Sequence, residues 1–434
     1  MKRSRSLPAL AALLASGLLL AGCSGTGGGA TGSSEGEGSG TVRFVAAEDP
    51  ATFAPLIASF EKKYPKITVE YTQIPFDQYS STMQQRLKAK DDTIDVFAVD
   101  QPNLAQIAAQ GFLEDISDLS DKAKAATSAQ QYGVNVYDGK LYGLPIWNST
   151  QLMYFNKDAL AKAGVTAPTA DPSQRWTWEE VEKAGTQAQQ AGIASGLLLE
   201  QVEAYYQLQP LAESLGGGSG ITGDDGLSID VTNAKWEKAM QWYSDTFSSG
   251  LSPRGVGGFQ TSPQFSDGKV AFFVGGPWDV PTFEKSATFD WGVAPMPYFA
   301  GGKPVTPTGS WSWGVNTASK NKAAARTFLE YSGLDTAGNL ATTQALTIIP
   351  ANTAAEKQYL PELEKLGGTH ATGVADLISH EVQETAVARP VSVGYVQFEG
   401  IMNKAFADIR NGSPVDDRLK QATSQVKDAW SQLK

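Results

Sequence analysis

The sequence predicts an α/β protein of two lobes joined by chain crossings, and three observations carry that expectation. At 434 residues, with 41% hydrophobic and 19% charged, the chain has a globular composition but is too long for a single hydrophobic core. Its opening strand and helix periodicities alternate, as in a mainly parallel sheet covered by helices. Finally, the stretch 141–157, LYGLPIWNSTQLMYFNK, sets two apolar runs on either side of Trp147, Asn148, Ser149, Thr150 and Gln151. That pattern fits a strand changing domain, and ligand clefts form preferentially at domain interfaces.

Residues 1–22 read as an export signal. Lys2, Arg3 and Arg5 precede an apolar run over 9–20 that is too short to span a bilayer core of roughly 30 Å. The segment ends in Leu20, Ala21, Gly22 and Cys23, which resembles the bacterial lipoprotein cleavage box, and Cys23 is the one cysteine of the chain. Lipidation of Cys23 would account for a lone cysteine in an exported protein and would anchor the chain to the outer face of the bacterial cell membrane. Residues 23–40 are that cysteine and a Gly/Ser-rich tract that can bury nothing. As a flexible tether it would reach on the order of 20 to 25 Å.

The folded part opens with a strand over 42–46, followed by a helix start at Glu48, Asp49 and Pro50. Phe53, Leu56, Ile57 and Phe60 continue at helical spacing. Ile67, Val69 and Tyr71 alternate as a strand, Tyr79, Met83 and Leu87 mark a helix, and 94–99 is an apolar strand interrupted by Asp95. In such a sheet a ligand sits outside the carboxyl ends of the strands, where Asp100 falls. A helix over 102–110 is stopped by Gly111, a surface connection covers 112–119, and the crossing at 141–157 follows. Thr177 and Glu180 form a capping box for a helix through Gln190. Trp236, Met240, Tyr243 and Phe247 give a helix capped at Thr232. Strand 270–274 ends in Gly275, Gly276, Pro277 and Trp278, repeating the strand-then-site pattern of Asp100. After a strand at 291–294, the proline- and glycine-rich 295–307 suits a second passage between lobes, and 311–315 is again a strand. A helix over 323–331 is broken by Gly333, and the remainder is mostly helix. The last helix carries Val415, Leu419, Ala422, Val426, Trp430 and Leu433 along one stripe.

Several function classes are poorly supported. The 35 basic and 46 acidic side chains give a net charge of −11, which disfavours a nucleic-acid partner. With two histidines, His370 and His380, and one cysteine committed to lipid, neither nucleophilic catalysis nor a metal site has the residues it needs. Gly218, Gly220 and Gly223 match a dinucleotide fingerprint only formally, because no clear strand precedes them and no helix follows. Asp224, Asp225 and Asp230 miss the spacing of a calcium loop. No cofactor is expected.

Taken together, DVFAVD (95–100), YGLPIWNSTQLMYFNKDAL (142–160), WTWEE (176–180), DGKVAFFVGGPW (267–278) and GSWSWGVN (309–316) with the AARTFLEYS that follows are specific in this order. With the cleavage box, they give a chain that resembles the extracellular solute-binding proteins of bacterial ABC importers, in the maltose-binding-protein-like sugar branch. The resemblance implies a periplasmic-binding-protein-like fold of two α/β lobes with interlobe hinge crossings. One lobe would hold 41–148 plus 297–333, the other 149–296 plus 334–434. It also implies a non-enzymatic monomer that closes on a mono- or oligosaccharide and presents it to membrane permease subunits.

Carried over, Asp100 matches an acid that accepts sugar hydroxyls, and two carboxylate oxygens suit two adjacent hydroxyls. Trp278 matches a stacking tryptophan, since an indole face covers the C–H face of a sugar ring. Trp147, Trp311 and Trp313 are candidates for the cleft wall and equally for core or rim; 311 and 313 share one face of an extended strand, so one could reach the cleft while the other packs. Asn148, Glu48, Arg389 and Tyr395 complete the candidate ligand set; Asn148 equally suits the crossing backbone, and Arg389 a structural ion pair. Tyr154 reads as strand interior. Two alternatives stand beside this reading: an exported carbohydrate-cleaving lipoprotein, because aromatic clefts with paired carboxylates also describe glycosidases, and the same fold carrying a peptide, polyamine or phosphorylated polyol.

Overall fold

The computed structural model describes residues 38–344 and 347–433. The expected export signal, Cys23 and nearly all of the expected tether lie outside the described residues.

The first sheet has five strands in the order Ile67–Gln73, Gly40–Ala46, Val96–Asp100, Trp311–Val315 and Leu144–Pro145. The first three are parallel, and Trp311–Val315 runs antiparallel between Val96–Asp100 and Leu144–Pro145. Asp49 caps the helix Pro50–Lys63 by accepting the Ala51 N–H, with proline in the first turn where its missing donor costs nothing. That helix buries Phe53, Leu56 and Phe60 in a cluster with Phe44, Trp313 and Phe328. The helix Lys322–Leu334 runs through Gly333 instead of breaking there. A Cβ on Gly333 would lie 2.9 Å from Leu144 Cβ, so the glycine serves close helix-to-sheet approach.

The second sheet has the order Trp291–Pro295, Leu152–Asn156, Val270–Gly275, Ser195–Leu199. All four strands are buried along their whole length. Burial on both faces explains why the sequence reads as continuous apolar runs here instead of alternating. One face packs Trp178, Tyr205, Trp236, Phe398 and Trp430, and the other Tyr154, Phe265, Phe273, Phe283 and Trp291. The Thr177/Glu180 capping box opens the helix Trp178–Gln190. The helix Ala234–Ser248 is capped one residue later than expected, because the Asn233 side chain accepts from both Lys235 and Trp236 N–H groups. In the helix Val415–Trp430 the apolar stripe is buried through Trp430, whereas Leu433 lies beyond its end and is exposed.

Between the sheets the crossings run in pairs. Trp147–Asn148 pairs antiparallel with Ile349–Pro350, and Thr306–Thr308 pairs parallel with Ala386–Ala388. The helix Thr336–Ala341 places Ala341 in the first lobe's cluster, and Ile348 joins it. Ala341 and Ile348 therefore pack with the first lobe, although 334–434 was expected in the other, whereas Leu340 packs against the second lobe's cluster.

Candidate ligand cleft

Asp100 ends its strand directly opposite Trp311. Both of its carboxylate oxygens accept from Arg389, Oδ2 from Nη1 at 2.9 Å and Oδ1 from Nη2. The two side chains are 18% and 9% exposed, so this bidentate pair is largely removed from water. Arg389 Nη1 also lies 3.5 Å from Glu399 Oε1, which accepts the Tyr395 hydroxyl at 2.9 Å. The guanidinium carbon lies 5.5 Å from the centre of the Tyr206 ring. Burial works against charge on Arg389, but Asp100, Tyr395 and Glu399 outweigh it and its pKa is raised further. Burial raises the Glu399 carboxyl while Arg389 pulls it back. Arg389 Nε is buried and has no protein acceptor among the described residues.

The crossing itself is a polar network. Asn148 Oδ1 accepts from Gln131 Nε2 at 2.8 Å, Thr308 Oγ1 at 2.7 Å and its neighbour's N–H at 2.8 Å. Gln101 Nε2 donates to Gln131 at 2.7 Å, and its Oε1 accepts the Ser310 N–H at 2.9 Å. The Ser149 hydroxyl donates to the Gly309 carbonyl and lies 2.8 Å from the Tyr206 hydroxyl. Gln151 and Gln207 exchange side-chain amide bonds at 2.7 and 2.6 Å. Asn148 and Gln151 thus satisfy the crossing.

Trp278 lies in the 3-10 turn Pro277–Asp279 that follows the strand Val270–Gly275, and it is half-buried. Its Nε1 donates to Glu200 Oε1 at 2.6 Å, and Glu200 Oε2 accepts the Gly276 N–H at 3.1 Å. Burial pushes the Glu200 carboxyl up to about 7, against the pull of those two bonds. Burial and then Glu200 itself push Asp279 well above the usual carboxylate range. A Cβ on Gly275 would sit 2.6 Å from Asp279 Oδ2 and 3.1 Å from Glu200 Oε2, so the glycine admits both acids. Glu48 follows the first strand; burial pushes its carboxyl up to about 7, and Oε2 has no partner among the described residues.

Burial removes two of the tryptophan candidates, Trp147 and Trp313, from the cleft wall and makes them core. Trp147 is buried in the first lobe's core, stacked on Phe53 at 5.9 Å, with Nε1 donating to Thr342 Oγ1 at 2.8 Å. Trp313 is fully buried between Phe44, at 4.2 Å, and Phe328, at 5.7 Å. Its register opposite Ala98 and Leu144 puts it in mid-sheet beneath two helices. Trp311, at the strand end, instead lies edge-on to Phe76 and Tyr79 and is only partly buried. Tyr395 is fully buried, its ring edge-on to Tyr205. Tyr154 is strand interior, its hydroxyl donating to Gly276 O at 2.6 Å. Glu200, Tyr206 and Glu399 were absent from the sequence-derived set. Glu200 had a readable signal, since it follows the apolar run 197–199 as Asp100 follows Val99. Among the described residues no group of three His, Cys, Asp or Glu side chains is arranged to hold a metal ion.

Two α/β lobes, paired crossings between them, and acids and rings brought from both to one seam define a two-lobed ligand-binding protein. The chain belongs to the bacterial extracellular solute-binding protein family, which it matches over residues 34–337. The maltodextrin-binding protein MdxE of Bacillus subtilis is 28% identical over 274 residues, covering 61% of this chain and 62% of the relative. A maltooligosaccharide ABC transporter solute-binding lipoprotein of Streptococcus pneumoniae is 28% identical over 245 residues, 55% of each chain. This chain therefore spans less than two thirds of either relative's length. In three dimensions it resembles an ABC substrate-binding protein of Listeria monocytogenes in complex with cycloalternan, with a TM-score of 0.78 and 22% identity over 90% of this chain and 99% of that one. It also resembles the GacH receptor of Streptomyces glaucescens, solved unliganded and with acarbose, with a TM-score of 0.75 and 24% identity over 91% and 98% of the two chains. These likenesses establish the two-lobed fold.

Proposed function

We propose that this chain captures a neutral mono- or oligosaccharide between its lobes and delivers it to the permease subunits of an ABC importer. The observation that carries the reading is the meeting of Asp100 from one lobe with Arg389, Tyr206 and Glu399 from the other. Opening the seam parts Asp100 from Arg389, leaving a carboxylate with two acceptors and a guanidinium fork with donors. Both suit ring hydroxyls, and the Tyr206 and Trp278 faces suit the C–H face of a sugar. Trp311, Glu48 and Tyr395 border or support that seam, and Glu200 orients Trp278. Ligand that touches both lobes only when they are closed stabilises the closed state by its differential affinity.

Relatives named for maltodextrin and maltooligosaccharide support a sugar cargo. The lipoprotein relative and the Leu20–Cys23 box support export, with a lipid anchor on Cys23 beyond a 23–40 tether. The protein acts as a monomer and performs no catalysis. A thermal-shift screen over mono- and oligosaccharides tests the reading, since ligand well above its dissociation constant raises native stability by about 2.7 kcal/mol at a hundredfold excess. A sugar that raises Tm, with no product after prolonged incubation, is the expected result. Turnover, or stabilisation only by peptides, polyamines or phosphorylated polyols, refutes it.

A further inference from the structure

A cavity of about 600 Å³ adjoins Asp100 and Trp311, and its far wall comes from Val396, Gln397 and Leu433 of the other lobe. Its volume falls within the range of small-molecule sites. Two features of its lining point to a ligand. Most of it is carbon: Met83 and Leu87 from one helix, Ile107 from another, Phe97 from the sheet and the Trp311 ring. Asn103, Gln106 and Gln397 also line it, and their side-chain amide oxygens are buried with no hydrogen-bond partner among the described residues. Gln106 is itself 9% exposed, and a buried polar atom without a partner is costly unless something in the cavity meets it.

Charge is nearly absent from this wall. Asp100 is held by Arg389 through both oxygens, and the other charged residue lining the cavity, Lys88, is exposed. Of the five large apolar side chains that are exposed among the described residues, Val396 and Leu433 line this space and Phe76 lies against Trp311. A cationic group would find no free carboxylate here, and an anionic one would find only Lys88, which is exposed to water. A bare sugar would leave much of the carbon surface uncovered.

We propose that this cavity is a subsite for an uncharged apolar group attached to the sugar, so that the preferred ligand is a glycoside whose aglycone is a flat or chain-like hydrocarbon bearing one or a few hydroxyls. This rests on the sugar reading for the neighbouring seam. The aglycone covers the carbon wall and Trp311, while its hydroxyls donate to the amide oxygens of Asn103, Gln106 and Gln397.

The test is calorimetric titration of the full chain with maltotriose and galactobiose, the para-nitrophenyl and octyl glycosides of each, and para-nitrophenol and octanol alone. At least one glycoside should bind about tenfold or more tightly than its parent sugar, the gain that burying one ring or a few methylenes supports. Val396→Asp, at a position 43% exposed and so tolerant of charge, should abolish that gain and leave the parent sugar's affinity within about twofold. Gln106→Leu should weaken para-hydroxyphenyl glycosides more than phenyl ones. Parent sugars binding as well as their glycosides would overturn the subsite and leave the sugar reading intact, as would a gain that survives Val396→Asp. Aglycones or glycosides binding where no parent sugar does would overturn the sugar reading and keep the subsite. Binding by none of these probes would overturn both.

Discussion

Replacing Arg389 with leucine should open the protein without unfolding it. The substitution strands Asp100, which loses two charge-assisted bonds, and leaves Glu399 without its cation, at sites 18% and 23% exposed. Breaking a buried ion pair by removing one partner costs about 3–5 kcal/mol when the remaining charge stays buried. Here it need not stay buried, because parting the lobes returns Asp100 to water while each sheet keeps its own apolar clusters. The loss should therefore appear in the open–closed equilibrium, where 3 kcal/mol is more than about a hundredfold. Small-angle scattering of the ligand-free protein should give a larger radius of gyration for Arg389→Leu than for wild type, with Tm little changed. Adding Asp100→Asn should recover part of the compaction, since removing both partners costs less than removing one. An unchanged radius combined with a large fall in Tm would refute the reasoning, because the pair would then be holding a single packed body together.

Trp278→Ala should reduce sugar affinity by about a hundredfold or more while leaving Tm near wild type, since the ring is half-buried outside both cores; normal binding or unfolding would count against it. The acids at Glu48 and Glu200 hold protons to about pH 7 in the fold and to about 4.5 when unfolded, so the native state binds more protons between those values and stability should fall as pH rises through that window. Glu48→Gln should flatten that slope in urea denaturation measured from pH 4.5 to 7.5, and an unchanged slope would remove Glu48 from the account. Gly309 has φ +93°, and a Cβ there would lie 2.9 Å from Gln101 Oε1, so Gly309→Ala should cost about 1–3 kcal/mol in the same assay; a neutral result would mean that the crossing relaxes freely.

Much of this architecture is readable from local pattern. The Asp49 start, the Thr177 box and the apolar runs at 152–155 and 270–274 depend on neighbours within a few residues, and the chain obeys them. Strand ends could be placed the same way, which is why Asp100 and Trp278 stood out. Partnership across the fold could not. Arg389 meets Asp100 from 289 positions away, and nothing near either residue announces the other. Trp311 and Trp313 have the same composition and the same alternation, and only the helices covering mid-sheet separate a core residue from a rim residue. Trp147 went the same way, because a large ring beside a hinge can serve the lobe behind it as readily as the space in front. Gly333 illustrates the reverse: a residue that breaks helices by propensity is kept inside one by a contact with Leu144 that propensity cannot see.

The hydrogen-bonded pairing of Trp147–Asn148 with Ile349–Pro350 has a mechanical meaning. Two strips of chain laced side by side twist together, as paired leaves on one pin, and the Gln131, Asn148 and Thr308 bonds tie a third strip to them. If the halves move about these strips, as the proposed capture of ligand requires, the lacing should confine that motion to a single angular coordinate with little sideways play. One well-chosen spectroscopic distance across the molecule would report that angle, and every other distance across the seam would follow from it.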